Sequence, residues 1–538
     1  MLYPSKNGWA LIISLCLGAC AVGPDFKKPD APKVTTFTEK PISNQLATAP
    51  SVGGTAQSIE PAGDIPAEWW ALYRSPELDA LIKQALKRNP NLAAADATLR
   101  AAQENANAAF GSFLFPSFGL GGSATRQQIN PSSFGQGVGS PSIYNVYNTS
   151  VSVNYNLDVF GGARRAVQST QAQAEISGFQ LEGAYLNLTA NIVTTAIREA
   201  ALRAQYAANL EIYEAQKNLA DIIAKQLEIG TASRVDLTSQ ISLAASSQID
   251  LLNLDKNLSF TRNQLSVFVG EFPGNALLAK FDLSTLNLPE KIPLSIPSEL
   301  VRQRPDIRAA ESYIKSTNAL VGVATANLLP QINLSGAIGS QALTTGALFG
   351  PNAAMWSVAG GVFQPLFQGG ALLAQRRGAI ATNEAAVFQY QATVLNAFQE
   401  VANALKALES DALALRAASE AERNALEYLN LLEQQYKLGT GSYLAVLIAQ
   451  RQYQQTKFRL IDAQANRFAE GLFGRKAGGQ ITHATLGPAG AACFPGGHFG
   501  IAQHLGGKAF TVPRQTGFDA ADVADVGADA VDHFFRHA

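Results

Sequence analysis

The chain reverses direction at two near-identical stretches, LEIGTAS at 227–233 and YKLGTGS at 436–442. Each stretch contains a glycine, which tolerates the left-handed backbone that often follows the end of a helix. No proline lies between Pro141 and Pro273 or between Pro365 and Pro488. The roughly 65 residues from 163 to 227 would span about 100 Å as a helix, at ~1.5 Å per residue. The pattern predicts two helical hairpins far longer than a compact soluble domain needs, and long enough to cross a compartment.

Two pairs of short alternating stretches precede the long helical segments. The clearest runs from 150 to 159, with apolar side chains at the odd positions and polar side chains at the even positions. This alternation is typical of a transmembrane β-strand that has lipid on one side and water on the other. Weaker alternation occurs at 117–125, 331–338 and 356–362. The chain therefore predicts four membrane strands, two before each long helical segment.

Four strands cannot close a membrane barrel, because the smallest such barrels have ~8 strands. An open sheet edge in lipid would leave backbone groups without hydrogen-bond partners, which is costly. We therefore expect each chain to contribute four strands to a shared barrel. The residues alone are compatible with 8 strands in a dimer or 12 in a trimer.

The order of these features occurs twice, which predicts an internal duplication. Arg304-Pro305-Asp306 corresponds to Asn89-Pro90-Asn91, and Pro330 corresponds to Pro116. Adjacent glycines follow the second strand of each pair, at 161–162 and 369–370, where the backbone must turn sharply into a helix. The fold class predicted is a mixed α+β membrane protein built from two similar halves.

The N-terminus predicts export from the cytoplasm. Lys6 precedes an apolar run at 9–17 that is too short to cross a bilayer, as in a secretory signal peptide. The run ends in LGAC at 17–20, which resembles a bacterial lipobox and would leave Cys20 as a lipid-modified first residue. The alternative is an ordinary signal peptide with a chance cysteine. Ala21 stands where aspartate commonly retains lipoproteins in the inner membrane, so the outer membrane is favoured.

Composition excludes several classes of function. Residues 20–482 contain no histidine and no cysteine except Cys20, so Ser/His or Cys/His catalysis in this part is excluded. No glycine-rich phosphate loop joins a strand to a helix in the required form. The formal net charge of -1 argues against a nucleic-acid surface. We expect no enzyme activity, no metal and no cofactor apart from the covalent lipid.

The sequence divides into six segments. They are a lipoprotein signal peptide (1–19), an extended lipidated leader (20–65), a first repeat (66–272), an equatorial connector (273–300), a second repeat (301–476) and an atypical tail (477–538).

The tail contains all five histidines of the chain, His483, His498, His504, His533 and His537. Three interpretations remain open for it: a disordered extension, a stretch of altered reading frame, or a metal-binding appendage. The third rests only on the helical spacing of His533 and His537.

Several short motifs, taken in order, resemble one known family. They are CAVGPDF at 20–26, the tryptophan pair at 69–70, RPDIRAAE at 304–311, LPQI at 329–332, the two Gly-Thr-x-Ser turns and AQR at 449–451. Over roughly residues 15–476 the chain is similar to the TolC-like outer membrane factors, and in particular to the NodT-type efflux lipoproteins of RND tripartite pumps.

The resemblance implies a homotrimer with a 12-stranded barrel in the outer membrane, continuous with a long α-helical barrel in the periplasm. It implies a passive duct for small molecules such as drugs, driven by an inner-membrane RND-type pump through a periplasmic adaptor. Two alternatives are kept. One is an outer-membrane channel for protein secretion, and the other is a periplasmic coiled-coil structural lipoprotein without a pore.

The resemblance also assigns roles to residues at the two turns, which would be the periplasmic tips. The expected adaptor contacts are Lys225, Leu227, Gly230, Thr231, Ser233, Arg234, Lys437, Leu438, Gly439, Thr440 and Ser442. In the family two aspartates commonly follow the second turn and form a charged constriction. This chain has Ala445 and Ile448 at those positions. We therefore expect an apolar gate formed by Leu444, Ala445 and Ile448, with Asp236 as the nearby carboxylate.

Overall fold

The computed structural model describes residues 21–470, with gaps at positions 31, 33, 35, 40–42, 62–67, 130–141 and 295–300. The signal peptide, Cys20 and the tail at 477–538 with its histidines lie outside the described residues. In chain order the elements are β1 (Ser58–Pro61), α1 (Pro76–Arg88), α2 (Pro90–Leu114), β2 (Ser117–Ile129), β3 (Ser142–Leu157), α3 (Gly162–Glu228), α4 (Arg234–Val269), β4 (Lys291–Leu294), α5 (Pro305–Ala326), β5 (Gln331–Ala342), β6 (Ala354–Phe363), α6 (Ala371–Lys437) and α7 (Tyr443–Glu470).

Strands β2, β3, β5 and β6 form one antiparallel sheet in that order. The register pairs Leu120 with Val151, Val151 with Ile338, and Ile338 with Trp356. Because side chains alternate between faces, these apolar residues share one face of the sheet. That face is exposed to solvent in the single chain, and Trp356 is 77% exposed.

The opposite face of the sheet is polar. Asn154 pairs with Ser117 on one side and with Ser335 on the other, and Ser152 lies opposite Gly119. The division into faces predicted from the alternating sequence is therefore confirmed. The outer strands β2 and β6 each have one edge that pairs with no other strand among the described residues.

The predicted strand at 150–159 is two residues too long. β3 ends at Leu157, and Asp158 begins the turn into α3. The carboxylate of Asp158 accepts hydrogen bonds from the backbone N–H groups of Ala163 and Arg164, both at 2.9 Å. Those groups belong to the first turn of α3, where N–H groups lack partners inside the helix. Asp158 therefore starts the helix and does not continue the polar face of the strand.

Helices α3 and α6 each contain 67 residues. At ~1.5 Å per residue each extends about 100 Å. Each follows a glycine in the left-handed region, Gly161 at φ 79° and Gly370 at φ 82°. α3 is followed by α4 and α6 by α7, so the long helical hairpins predicted from the proline-free stretches are confirmed. None of the helices in the described residues is long and apolar enough to cross a membrane.

The leader, which the sequence predicted to be extended, packs along the body. The N–H of Val22 donates to the carbonyl of Phe160 at 2.9 Å, and Asp25 pairs with Arg165 at 2.7 Å. Gly23, at φ 98°, lies so close to Gly322 that a Cβ atom would come within 2.5 Å of the Gly322 Cα. Further along, β1 pairs in parallel with β4.

The largest apolar core lies where residues 278–288 meet α1, α3, α4 and the end of α7. Trp70, Tyr73, Phe281 and Phe468 are almost completely buried there. The Tyr73 hydroxyl donates to the carbonyl of Phe468 at 2.7 Å, and burial raises the pKa of this hydroxyl far above its usual value. The core thus joins the start of the first half to the end of α7.

A buried carboxylate attaches the connector to the long helices. Glu199 on α3 is completely buried and accepts hydrogen bonds from Arg203, from Arg262 at 2.9 Å and from the backbone N–H of Phe281 at 3.1 Å. Arg262 also donates to the carbonyl of Leu278 at 3.1 Å. The two arginines compensate the buried charge, which would otherwise be costly.

The Arg-Pro-Asp motif at 304–306 has a structural role. The Arg304 guanidinium pairs with Asp306 at 2.8 Å and with Glu400 of α6 at 2.9 Å. Pro305 is the first residue of α5, a position where its missing N–H costs nothing. Burial raises the pKa of Glu400, and the charge of Arg304 opposes that shift. The motif therefore begins α5 and joins it to α6 through the ion pair between Arg304 and Glu400.

Candidate functional site at the helical turns

The two hairpin turns have the same geometry. Gly230 and Gly439 adopt φ values of 79° and 75°. Thr231 donates to the carbonyl of Gln226 through its N–H at 2.8 Å and its hydroxyl at 3.1 Å. Thr440 makes the same two bonds to the carbonyl of Gln435, at 3.0 and 3.1 Å. The Gly-Thr pair in each turn thus closes the end of the long helix, as in other glycine-terminated helices.

Asp236, predicted as a gate carboxylate, takes part in a capping box at the start of α4. The Ser233 hydroxyl accepts from the N–H of Asp236 at 3.1 Å, and the Asp236 carboxylate accepts from the N–H of Ser233 at 3.1 Å. Such reciprocal bonds satisfy two N–H groups at a helix start. The corresponding position of the second turn is Ala445, which has no carboxylate to complete this arrangement.

The residues predicted for docking form the surface of both turns. Leu227 is half-buried, and the others are exposed, namely Lys225, Gly230, Thr231, Ser233, Arg234, Lys437, Leu438, Gly439, Thr440 and Ser442. Leu438 is 78% exposed. Ile229 is equally prominent at 74% exposed, although the sequence reasoning did not select it. Aligning the two turns would have found it, because Ile229 and Leu438 both directly precede the glycine.

Three of the predicted gate residues lie in the first two turns of α7, and Asp236 lies in the first turn of α4. Leu444 and Ile448 are exposed and four residues apart, so they are neighbours on one helix face. Ala445 is half-buried. Val446 and Ala449 are buried against Leu429 of α6 and its neighbours. Leu444 and Ile448 therefore form an apolar stripe that points away from the packing within the chain.

Two tyrosines connect the hairpins near the turns. Tyr436 on α6 donates to the Gln226 side chain of α3 at 3.0 Å, and Tyr443 on α7 donates to the Gln240 side chain of α4 at 2.5 Å. Burial raises the pKa of Tyr443 to about 12, with the nearby charge of Asp236 as a smaller cause. Both hydroxyls therefore remain protonated donors at neutral pH. These bonds are not predictable from the sequence, because the two residues of each bond are some two hundred positions apart.

Metal binding finds no support in the described part of the chain. No group of three or more His, Cys, Asp or Glu side chains lies there in an arrangement that could hold a metal ion.

A sheet with one apolar and one polar face, continued by two 67-residue helices of about 100 Å and their shorter partners, defines the class as a membrane channel with a long helical extension. The chain belongs to the outer membrane efflux protein family. The sequence pattern of that family matches residues 81–271 and 296–469. The chain is an efflux protein of the outer membrane that extends into the periplasm. The family predicted from the motifs is thereby confirmed.

Individual relatives agree with this assignment. The pyoverdine export outer membrane protein OpmQ of Pseudomonas putida is 30% identical over 437 residues, covering 79% of this chain and 92% of that protein. Nodulation protein T of Rhizobium leguminosarum bv. trifolii is 26% identical, covering 84% of this chain and 92% of that protein. The solved outer-membrane channel OprN has a TM-score of 0.76 at 25% identity, covering 86% of this chain and 99% of that chain.

Proposed function

We propose that three copies of this chain close a 12-stranded barrel that continues into a helical tunnel, and that the trimer exports small molecules passively. The observation that carries the proposal is the four-stranded sheet, whose outer strands each have one edge left unpaired within the described residues and whose faces differ in polarity. Pairing β6 of one copy with β2 of the next satisfies both edges. The apolar face then meets lipid and the polar face lines the lumen.

The leader supports lipidation at Cys20. Ala21 lies against Gly161 at the exit from β3, where a Cβ on Gly161 would come within 2.6 Å of the Ala21 Cα. Ala21 is therefore close to the end of the membrane sheet. Acyl chains on Cys20 would reach the periplasmic leaflet of the outer membrane from this position without crossing the periplasm.

The turns supply a docking surface for a periplasmic adaptor, and through it for an RND-type pump. Lys225, Arg234 and Lys437 provide positive charge, while Ile229 and Leu438 provide exposed apolar side chains. An exposed apolar group with a polar rim is typical of a protein–protein contact. Both turns present the same backbone, so one adaptor chemistry can bind either hairpin.

Closure of the duct is assigned to Leu444, Ala445 and Ile448 of the three copies. An apolar constriction can block ions by excluding water, without a ring of charged side chains. In this arrangement Asp236 chiefly stabilises the start of α4 through its capping box.

Replacing Ile448 by aspartate is expected to make the reconstituted pore sensitive to block by a trivalent cation. The change introduces three carboxylates at one level of the trimer, which attract cations strongly when partly removed from water. Single-channel recording with and without the cation measures the effect. Ile448→Asn is the matched control, because it is polar but uncharged. Equal cation sensitivity in the wild type and both variants would show that Ile448 does not line the constriction.

Replacing Tyr443 by phenylalanine is expected to favour the open state by weakening the link between α7 and α4. One hydrogen bond contributes about 0.5–1.5 kcal/mol, or roughly a two- to tenfold change in the open-to-closed ratio per copy. Open probability in planar bilayers measures this. Tyr428→Phe is the control, because its hydroxyl has no hydrogen-bond partner among the described residues. An unchanged open probability in Tyr443→Phe would show that this bond does not help to keep the duct closed.

Oligomeric state and conductance test the proposal as a whole. We expect purified protein to run as a trimer that heat dissociates, and to conduct ions when inserted into a bilayer. A monomer or dimer that is stable in detergent, or a trimer that conducts nothing in any variant, would contradict it.

A further inference from the structure

A cavity of about 190 Å³ lies between α3, α6 and α7. Gln216, in its wall, is about 18 Å along α3 from the helix end at ~1.5 Å per residue. One wall is apolar, with Ala208, Ile212 and Leu429. The cavity thus lies between the two hairpins and outside the proposed gate.

Two buried glutamines in this cavity have side-chain atoms without a hydrogen-bond partner in the described part of the chain. Gln216 is 1% exposed, and neither its Oε1 nor its Nε2 has a partner among the described residues. Gln450 is 6% exposed, and its Oε1 also has none there. Buried amide groups in folded proteins are almost always paired, so their free atoms indicate a ligand or water in the space they line.

The charge around the cavity selects the kind of ligand. Glu211 and Glu433 line it without a hydrogen bond or salt bridge to a described residue, and the charge of Glu211 acts on Tyr453 and Lys457 of the same lining. The one cation in the lining, Lys457, pairs with Glu422 at 3.1 Å. The lining thus has two carboxylates against one ammonium group that Glu422 already pairs, while Gln216, Gln450 and Tyr453 add amide and hydroxyl groups that can accept as well as donate. A donor-rich cation complements this set, and a neutral or anionic molecule does not.

We propose that this cavity binds a small organic cation, an amidinium or primary ammonium group on a compact apolar body. The cationic end donates to Glu211, Glu433 and the glutamine oxygens, and the apolar body lies against Ile212 and Leu429. The volume of the cavity accommodates a flat body of one ring. The site does not depend on the assignment of the gate residues.

Benzamidine is a suitable probe, since it joins an amidinium to one aromatic ring. We expect calorimetric titration of the full-length protein in detergent to show one site per chain. Benzyl alcohol, which keeps the ring but lacks the charge, should bind at least tenfold more weakly, in line with the loss of a charge-assisted contact.

Variants locate the site. Glu433→Gln and Gln216→Leu should each weaken benzamidine binding by about tenfold or more, as expected for loss of a charged or buried partner. Glu420→Gln on the same helix removes an exposed carboxylate outside the cavity and should leave binding unchanged. If Gln216→Leu fails to fold, Glu433→Gln decides alone. No binding, equal binding of benzyl alcohol, or equal affinity in Glu433→Gln would show that the cavity holds water only and would overturn the proposal.

Discussion

Replacing Val358 by arginine is expected to keep the chain out of the outer membrane. Val358 lies in the middle of β6, opposite Gly336, on the apolar face of the sheet, and is 80% exposed in the single chain. An arginine on the lipid face near the bilayer midplane costs about 2–4 kcal/mol per strand. A trimer carries three such arginines, so the cost is incurred three times in one barrel. The amount of heat-dissociable trimer in the outer-membrane fraction measures the outcome.

The neighbouring residue provides the control for this experiment. Ser357 lies on the opposite face, opposite Ala337, and the proposed barrel places that face toward water. Ser357→Arg should therefore insert normally and change only the conductance. If the two arginine variants insert equally well, the proposed orientation of the sheet is wrong.

Replacing Glu199 by alanine is expected to destabilise the protein by about 3–5 kcal/mol, as for other buried ion pairs that lose one partner. The Glu199 carboxylate is completely buried, whereas Arg203 and Arg262 keep about a third of their side-chain surface. Loss of the Glu199 carboxylate leaves the two arginine charges close together and leaves the N–H of Phe281 without its acceptor. We expect a lower thermal midpoint and faster proteolysis in the connector near 278–281.

An exposed ion pair serves as the comparison for Glu199. Glu182 pairs with Arg308 at 3.4 Å, and both side chains are about half exposed. Such pairs contribute only about 0–1 kcal/mol, so Glu182→Ala should change stability little. Equal effects of the two substitutions would mean that the Glu199 cluster does not hold the connector.

The features predicted correctly from the sequence depend on local periodicity. The two faces of β3 follow from the alternation at 150–157, and the hairpins follow from the proline-free stretches and the glycine turns. These patterns are visible because each residue's role is set by its immediate neighbours along the chain.

The features that the sequence did not reveal depend on contacts between distant segments. The leader has no periodicity, so its packing against Arg165 and Gly322 could not be read from its composition. The Tyr443–Gln240 bond and the unpaired Gln216 likewise depend on how two hairpins meet. Asp158 was assigned to the strand, and the capping role of Asp236 was not predicted, because a carboxylate that caps a helix looks like any polar residue until the helix start is known.

The central claim is that this chain is an open duct that works with an adaptor and a pump. Its most direct test is dye retention in cells that lack their own efflux duct and carry this chain with its matching adaptor and pump. We predict that retained dye falls when all three are present, and that it stays high when the chain is omitted. Unchanged retention, with the trimer shown to be in the outer membrane, would contradict the assignment as an efflux duct.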